Sequence, residues 1–104
     1  MALKSFVRLL HADVRIRTSF STERGRVTAF SIELEVNDEL RWHPVVRYDS
    51  AHGIAHRDFI HYDGRQDKAL LPFRSFADAF TFAQADLNKS WQEYRRRFLK
   101  ESKR

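Results

Sequence analysis

The chain has no cysteine, only three glycines and two prolines, and no long apolar run. Without cysteine there is no disulfide framework, no cysteine-type zinc finger and no cysteine nucleophile, and a reducing, cytoplasmic setting is the natural expectation. The opening residues, Met1 to Arg8, are interrupted by Lys4 and Arg8 before a signal-type run develops. No segment approaches the roughly 20 apolar residues of a membrane span, so neither secretion nor a membrane partner is expected. What the chain does have is rings: nine Phe and two Trp within an aromatic fraction of 13%, enough to build a core. At 104 residues, 1–104 are expected to form a single domain around one core.

Charge is placed unevenly. The net charge is +5, and from Lys89 onward seven basic residues face two glutamates, so the whole formal excess lies at the C-terminus. That end calls for an anionic partner, either nucleic acid or the acidic surface of another protein. Arg95, Arg96, Arg97 and Lys100 are the candidate phosphate contacts, with Arg15 and Arg17 on an early strand as a second candidate pair.

Hydrophobic periodicity supplies the elements. Val14, Ile16, Thr18 and Phe20 alternate with Arg15, Arg17 and Ser19, and Phe30, Ile32, Leu34 and Val36 alternate with Ser31, Glu33 and Glu35, the period of half-buried strands. Ser21 to Arg26, containing Gly25, reads as the hairpin turn between them. Asn37-Asp38-Glu39 reads as the next turn, followed by a strand from Leu40 to Tyr48 in which Pro44 marks an edge or a bulge. A further strand from Ile54 to Tyr62 ends at the turn signal Asp63-Gly64. From Ser75 the period changes: Phe76, Ala79, Phe80, Ala83, Leu87, Trp91, Tyr94 and Phe98 form one helical stripe. Ser75 followed by Asp78 is a capping-box-like start. The expected fold is α+β, an antiparallel sheet of four or five strands with one long C-terminal helix, about Ser75 to Lys100, packed on one face.

Candidate chemistry is concentrated between Arg47 and His61, where three of the five histidines fall with two Asp and two Arg. On a regular strand His56 and Asp58 share a face about 6.6 Å apart, whereas His61 points to the other face. His52 lies in the loop with Asp49 and Gly53, from which it can fold back toward His56. Two imidazoles can serve as general base and general acid in metal-independent RNA cleavage, with Arg47 or Arg57 clamping the phosphate and Asp49 or Asp58 orienting a ring. That mechanism requires no cofactor and no metal. A plainer reading makes these residues solvated polar groups beside a turn. A third makes Asp49, His52, His56 and Asp58 metal ligands, but His-x-x-x-His suits a metal best on a helix, and Gly53 between strand-like flanks argues against one.

The run Tyr48-Asp49-Ser50-Ala51-His52-Gly53-Ile54-Ala55-His56-Arg57-Asp58 resembles the Tyr-Asp-Asn-x-x-Gly-x-x-His-x-His signature of TumE-type toxins of toxin–antitoxin systems, and Pro72-Phe73-Arg74-Ser75-Phe76 resembles their Phe-x-Ser-like element before a helix. The likeness spans about Val45 to Leu87. Ser50 stands in place of Asn, and Asp58 in place of the second His. The resemblance implies a growth-inhibiting toxin that acts on RNA and is neutralised by a cognate antitoxin protein. The alternative is a non-enzymatic module that uses the basic C-terminal helix to bind nucleic acid or to inhibit a protein.

Overall fold

The computed structural model describes residues 2–102; Lys103 and Arg104 of the basic tail lie outside the described residues. Among the described residues six strands follow one another, β1 (Ala2–His11), β2 (Val14–Glu23), β3 (Arg26–Asp38), β4 (Arg41–Asp49), β5 (His56–Ile60) and β6 (Gln66–Leu70), and one α-helix, α1 (Phe76–Ser102), comes after them. Each strand pairs antiparallel with the next, so the order in the sheet is the order in sequence. The class and the long C-terminal helix are as expected; the strands number six rather than four or five. Both additions, β1 and β6, are edge strands. All but one residue of β1 is exposed, so no buried face imposes alternation on it, and β6 is a short Gln-Asp-Lys-Ala-Leu with no apolar pattern. Among the described residues no helix is long and apolar enough to cross a membrane.

Two-residue turns set the register. Arg24 and Gly25 join β2 to β3 with both residues left-handed, at φ 52° and 77°, the geometry that matches strand twist. Glu39 and Leu40 join β3 to β4 in the same way, at 53° and 66°. Asp38 therefore belongs to β3, and Leu40 is a turn residue rather than the first of a strand. Pro44 sits where the β3–β4 register shifts, opposite Glu35, so the missing amide falls at a bulge.

The helix starts where its cap predicts, with the Ser75 hydroxyl accepting the Asp78 amide at 3.1 Å. Ala79, Phe80, Ala83, Leu87 and Phe98 are its buried stripe. They pack on the inward residues of β2, β3 and β4: Val14, Ile16, Phe30, Ile32, Leu34, Val36, Val46 and Tyr48. Phe80 lies between Phe20 and Phe30, with ring centroids 5.1 and 5.4 Å away. Tyr94 is half-buried, and Trp42 and Trp91 are half-buried as well.

Candidate functional site

Because the helix covers one face of the sheet, alternation along β4 and β5 sorts the candidate residues into two groups. Tyr48, Arg57 and Phe59 face α1: the Tyr48 hydroxyl bonds Asp86 of the helix, and Phe59 packs on Tyr94 with ring centroids 5.6 Å apart. Arg47, Asp49, His56 and Asp58 face the other way, in the cross-strand pairs Asp49 with His56 and Arg47 with Asp58. His56 and Arg57, adjacent in sequence, thus look out of opposite sides of the sheet.

On the face away from the helix the charged residues form a ladder. Arg17 pairs with Glu33, Glu33 with Arg47, Arg47 with Asp58 and Asp58 with Lys68 across successive strands. Arg47 donates to Glu33 through both Nε and Nη2 at 2.7 Å, and Arg15 bonds Glu35 while its guanidinium lies 4.1 Å from the Trp42 ring centre. Burial pushes the Glu33 carboxyl up to about 7, its hydrogen bond with Glu35 adding to the effect and Arg47 opposing it. Arg47 and Arg15 are therefore engaged in the sheet itself, and Arg17 is the more exposed of the early pair.

Beside this ladder sits a tight group. His56 Nε2 lies 3.0 Å from Asp49 Oδ1 and 3.5 Å from Asp58 Oδ2, and Nδ1 lies 3.1 Å from the Ile54 carbonyl. Lys68, which sequence reasoning did not single out, brings its ammonium to 3.3 Å from Asp58 Oδ1. The side chains of His56 and Asp58 are 7% and 4% exposed. His52 does not join them: it is exposed in the 3-10 turn Ala51–Gly53 at φ 63°, and forms no hydrogen bond or ion pair among the described residues. Ser50 instead fixes the loop to the core, its hydroxyl accepting the Phe30 amide at 2.9 Å. His61 is remote from His56 and bonds Glu101 and Asp67, each at 2.7 Å.

The helix side holds a second feature. Tyr48 and Tyr94 both donate to Asp86 Oδ2 at 2.6 Å. Burial and that carboxylate raise both hydroxyls, Tyr94 to about 12. The Arg57 guanidinium lies 4.3 Å from the centre of the Phe59 ring and that of Arg97 5.4 Å from the same centre. Neither makes a salt bridge among the described residues, and the buried Arg57 Nε has no hydrogen-bond partner. Next to them opens a cavity of about 420 Å³ lined by Phe59, Glu93, Tyr94, Arg96, Arg97 and Lys100. The three consecutive arginines do not form one ridge. Arg95 is tied to Asp13 through Nε and Nη2 at 2.9 and 2.7 Å, Arg96 is exposed beside Glu93, and Arg97 faces the cavity. No periodicity marks Phe59 and Arg57 as partners of Arg97; the sheet and helix have to fold first.

The fold and these two sites define an α+β protein with a six-stranded antiparallel meander under one helix, a cationic aromatic groove on the helix side and a histidine–carboxylate cluster on the other. The whole chain, residues 1–104, matches the model of the family described as Domain of unknown function (DUF7718), and the chain belongs to that family. No curated protein and no solved structure matches it.

Proposed function

We propose that the chain binds single-stranded RNA in the groove between α1 and β5 and that, in the setting the TumE-type resemblance implies, it is the RNA-directed toxin of a toxin–antitoxin pair. One observation carries the reading: two guanidiniums, Arg57 and Arg97, share the Phe59 ring with no salt bridge among the described residues, beside a cavity that adds Tyr94, Arg96 and Lys100. Cations lining a groove track a phosphate backbone, and aromatic rings among them give bases a surface to stack on. Glu93 is the one carboxylate among the lining residues, and it is already beside Arg96 at 3.8 Å.

The His56 cluster supports the reading less. A metal-independent ribonuclease asks a ring nitrogen to take a 2′-hydroxyl proton, yet both nitrogens of His56 face groups within 3.1 Å and its side chain is 7% exposed. Two carboxylates beside it repel a phosphate, and Arg57 faces away from it. The groove therefore carries the proposal.

Fluorescence anisotropy with a labelled oligouridine tests it. The paired change Arg97→Gln with Lys100→Gln weakens binding and flattens the slope of log affinity against log salt by roughly 0.7 for each phosphate that is no longer neutralised. Arg17→Gln, on the opposite face, leaves both unchanged. Failure of the wild-type chain to bind, or equal weakening by the two variants, overturns the groove assignment.

A further inference from the structure

The RNA reading makes no use of Asp49, His56 and Asp58, three ligand-type side chains that the β4–β5 register gathers on the face away from the helix. The Ile54 carbonyl at His56 Nδ1 only accepts, so Nδ1 carries a proton. Nε2 then faces nothing but carboxylate oxygens, Asp49 Oδ1 at 3.0 Å and Asp58 Oδ2 at 3.5 Å, which also only accept. The side chain that makes these contacts is 7% exposed. Asp58 Oδ1 is buried without a hydrogen bond, the Lys68 ammonium standing 3.3 Å away. An imidazole nitrogen and two carboxylates thus converge on one small volume at the sheet surface.

The spacing suits a single metal ion. One ligand atom from each of Asp49, His56 and Asp58 falls within 4.8 Å of the other two. Atoms bound at about 2.1 Å to one ion stand roughly 3.0 to 3.4 Å apart between octahedral and tetrahedral angles. The separations of 3.0 and 3.5 Å from His56 Nε2 to the two carboxylates are close to that range. The Nδ1 to backbone carbonyl contact is the outer-shell bond by which ligand histidines are held in the tautomer that leaves Nε2 free to coordinate. One imidazole with two carboxylates suits a divalent first-row transition ion better than calcium or magnesium, which take oxygen alone.

We infer that Asp49, His56 and Asp58 bind one divalent transition-metal ion through Asp49 Oδ1, His56 Nε2 and Asp58 Oδ2, with Lys68 as the resident competitor for the same negative charge. The strand pair replaces the helix that His-x-x-x-His would need: register sets Asp49 opposite His56, and a two-residue step adds Asp58. Lys68 is 57% exposed, so its side chain can swing to solvent when an ion enters.

Isothermal titration of the chelator-stripped full chain with ZnCl2, and separately with MnCl2, tests the site. The wild type binds one ion per chain. Asp49→Asn and His56→Gln each weaken binding by more than the roughly 10- to 100-fold that loss of an outer-shell partner costs. Lys68→Gln tightens it, by at least about threefold, because a like charge leaves the site. His61→Gln, which removes the other carboxylate-flanked imidazole, changes nothing. Far-UV circular dichroism in chelator checks that each variant folds; if His56→Gln does not, the half-buried, isosteric Asp49→Asn decides. Absence of one-to-one binding by the wild type, or wild-type affinity in folded Asp49→Asn, overturns the site.

Discussion

His61 and Glu101 lie 40 residues apart in sequence, and their side chains meet at 2.7 Å. The second ring nitrogen of His61 reaches Asp67 at 2.7 Å, and the other Glu101 oxygen accepts the Tyr62 amide at 3.1 Å. One imidazole therefore pins the last turn of α1 to the strands β5 and β6. Its position is structural, although in sequence His61 stands at the end of the 47–61 cluster of candidate residues.

The clamp gives stability a pH window. The hydrogen bond with Asp67, then that with Glu101, raises the His61 value above its ordinary 6.5. Its contribution is complete below 6.5, where the unfolded ring is also charged, and is lost as pH rises through the raised value. The His61 bond lowers Asp67 from 3.8, and, against burial that raises it, the His61 and Tyr62 bonds lower Glu101 from 4.5, so the contribution also fades as pH falls through those lowered values. Thermal unfolding of the wild type against His61→Ala should show the largest difference at about pH 5 to 6 and a shrinking one toward pH 9. A difference that grows with pH would show that the imidazolium is not what holds the helix end.

Leu40 is 96% exposed and left-handed at φ 66°, in a turn whose other residue, Glu39, is left-handed too. A non-glycine residue there costs about 1 to 2 kcal/mol, part of which glycine gives back through the freedom it adds to the unfolded chain. Glu39→Asn with Leu40→Gly is expected to stabilise the chain by about 1 kcal/mol, read as a higher urea midpoint with an unchanged slope.

Asp86 accepts two tyrosine hydroxyls, one of them from the fully buried Tyr48. Removing the shared acceptor strands both donors, whereas removing one donor leaves the carboxylate its other partner. Asp86→Ala should cost about 2 to 4 kcal/mol in chemical denaturation and Tyr48→Phe about 1. Equal costs would mean that the two hydroxyls find water once Asp86 is gone.

Strands and site were legible in the sequence to the extent that one face was buried. β2 and β3 show alternation because Val14, Ile16, Phe30, Ile32, Leu34 and Val36 all face α1. β1 and β6 do not, since neither strand has a buried residue. Period two correctly put His56 and Asp58 on one face and away from His61. It could not show that Asp49 reaches His56 across the strand pair while His52 stays out in solvent, because register and a left-handed turn residue decide that. Lys68 and Glu101 were out of reach for the same reason: each meets its partner only after a neighbouring element is in place.

The basic run Arg95-Arg96-Arg97 reads in sequence as one patch, but a helix turns about 100° per residue and sends each guanidinium a different way. Arg95 spans 82 residues of sequence to bond Asp13 through two nitrogens, at the turn between β1 and β2. Arg96 is 72% exposed beside a Glu93 that is equally exposed, a pair of the kind that contributes little. Arg97 reaches the Phe59 ring and the Val45 carbonyl. Three single changes to Gln should therefore separate. Arg95→Gln lowers stability by about 1 kcal/mol or more and leaves RNA affinity unchanged, because its charge is already neutralised by Asp13. Arg96→Gln leaves stability within about 0.5 kcal/mol and weakens RNA binding modestly. Arg97→Gln weakens RNA binding most, through both a phosphate contact and the cationic side of the stacking surface. Urea denaturation and oligouridine anisotropy on the same three proteins give the comparison, and equal weakening of RNA binding across all three would mean that the helix binds RNA as a diffuse cation rather than through the groove beside Phe59.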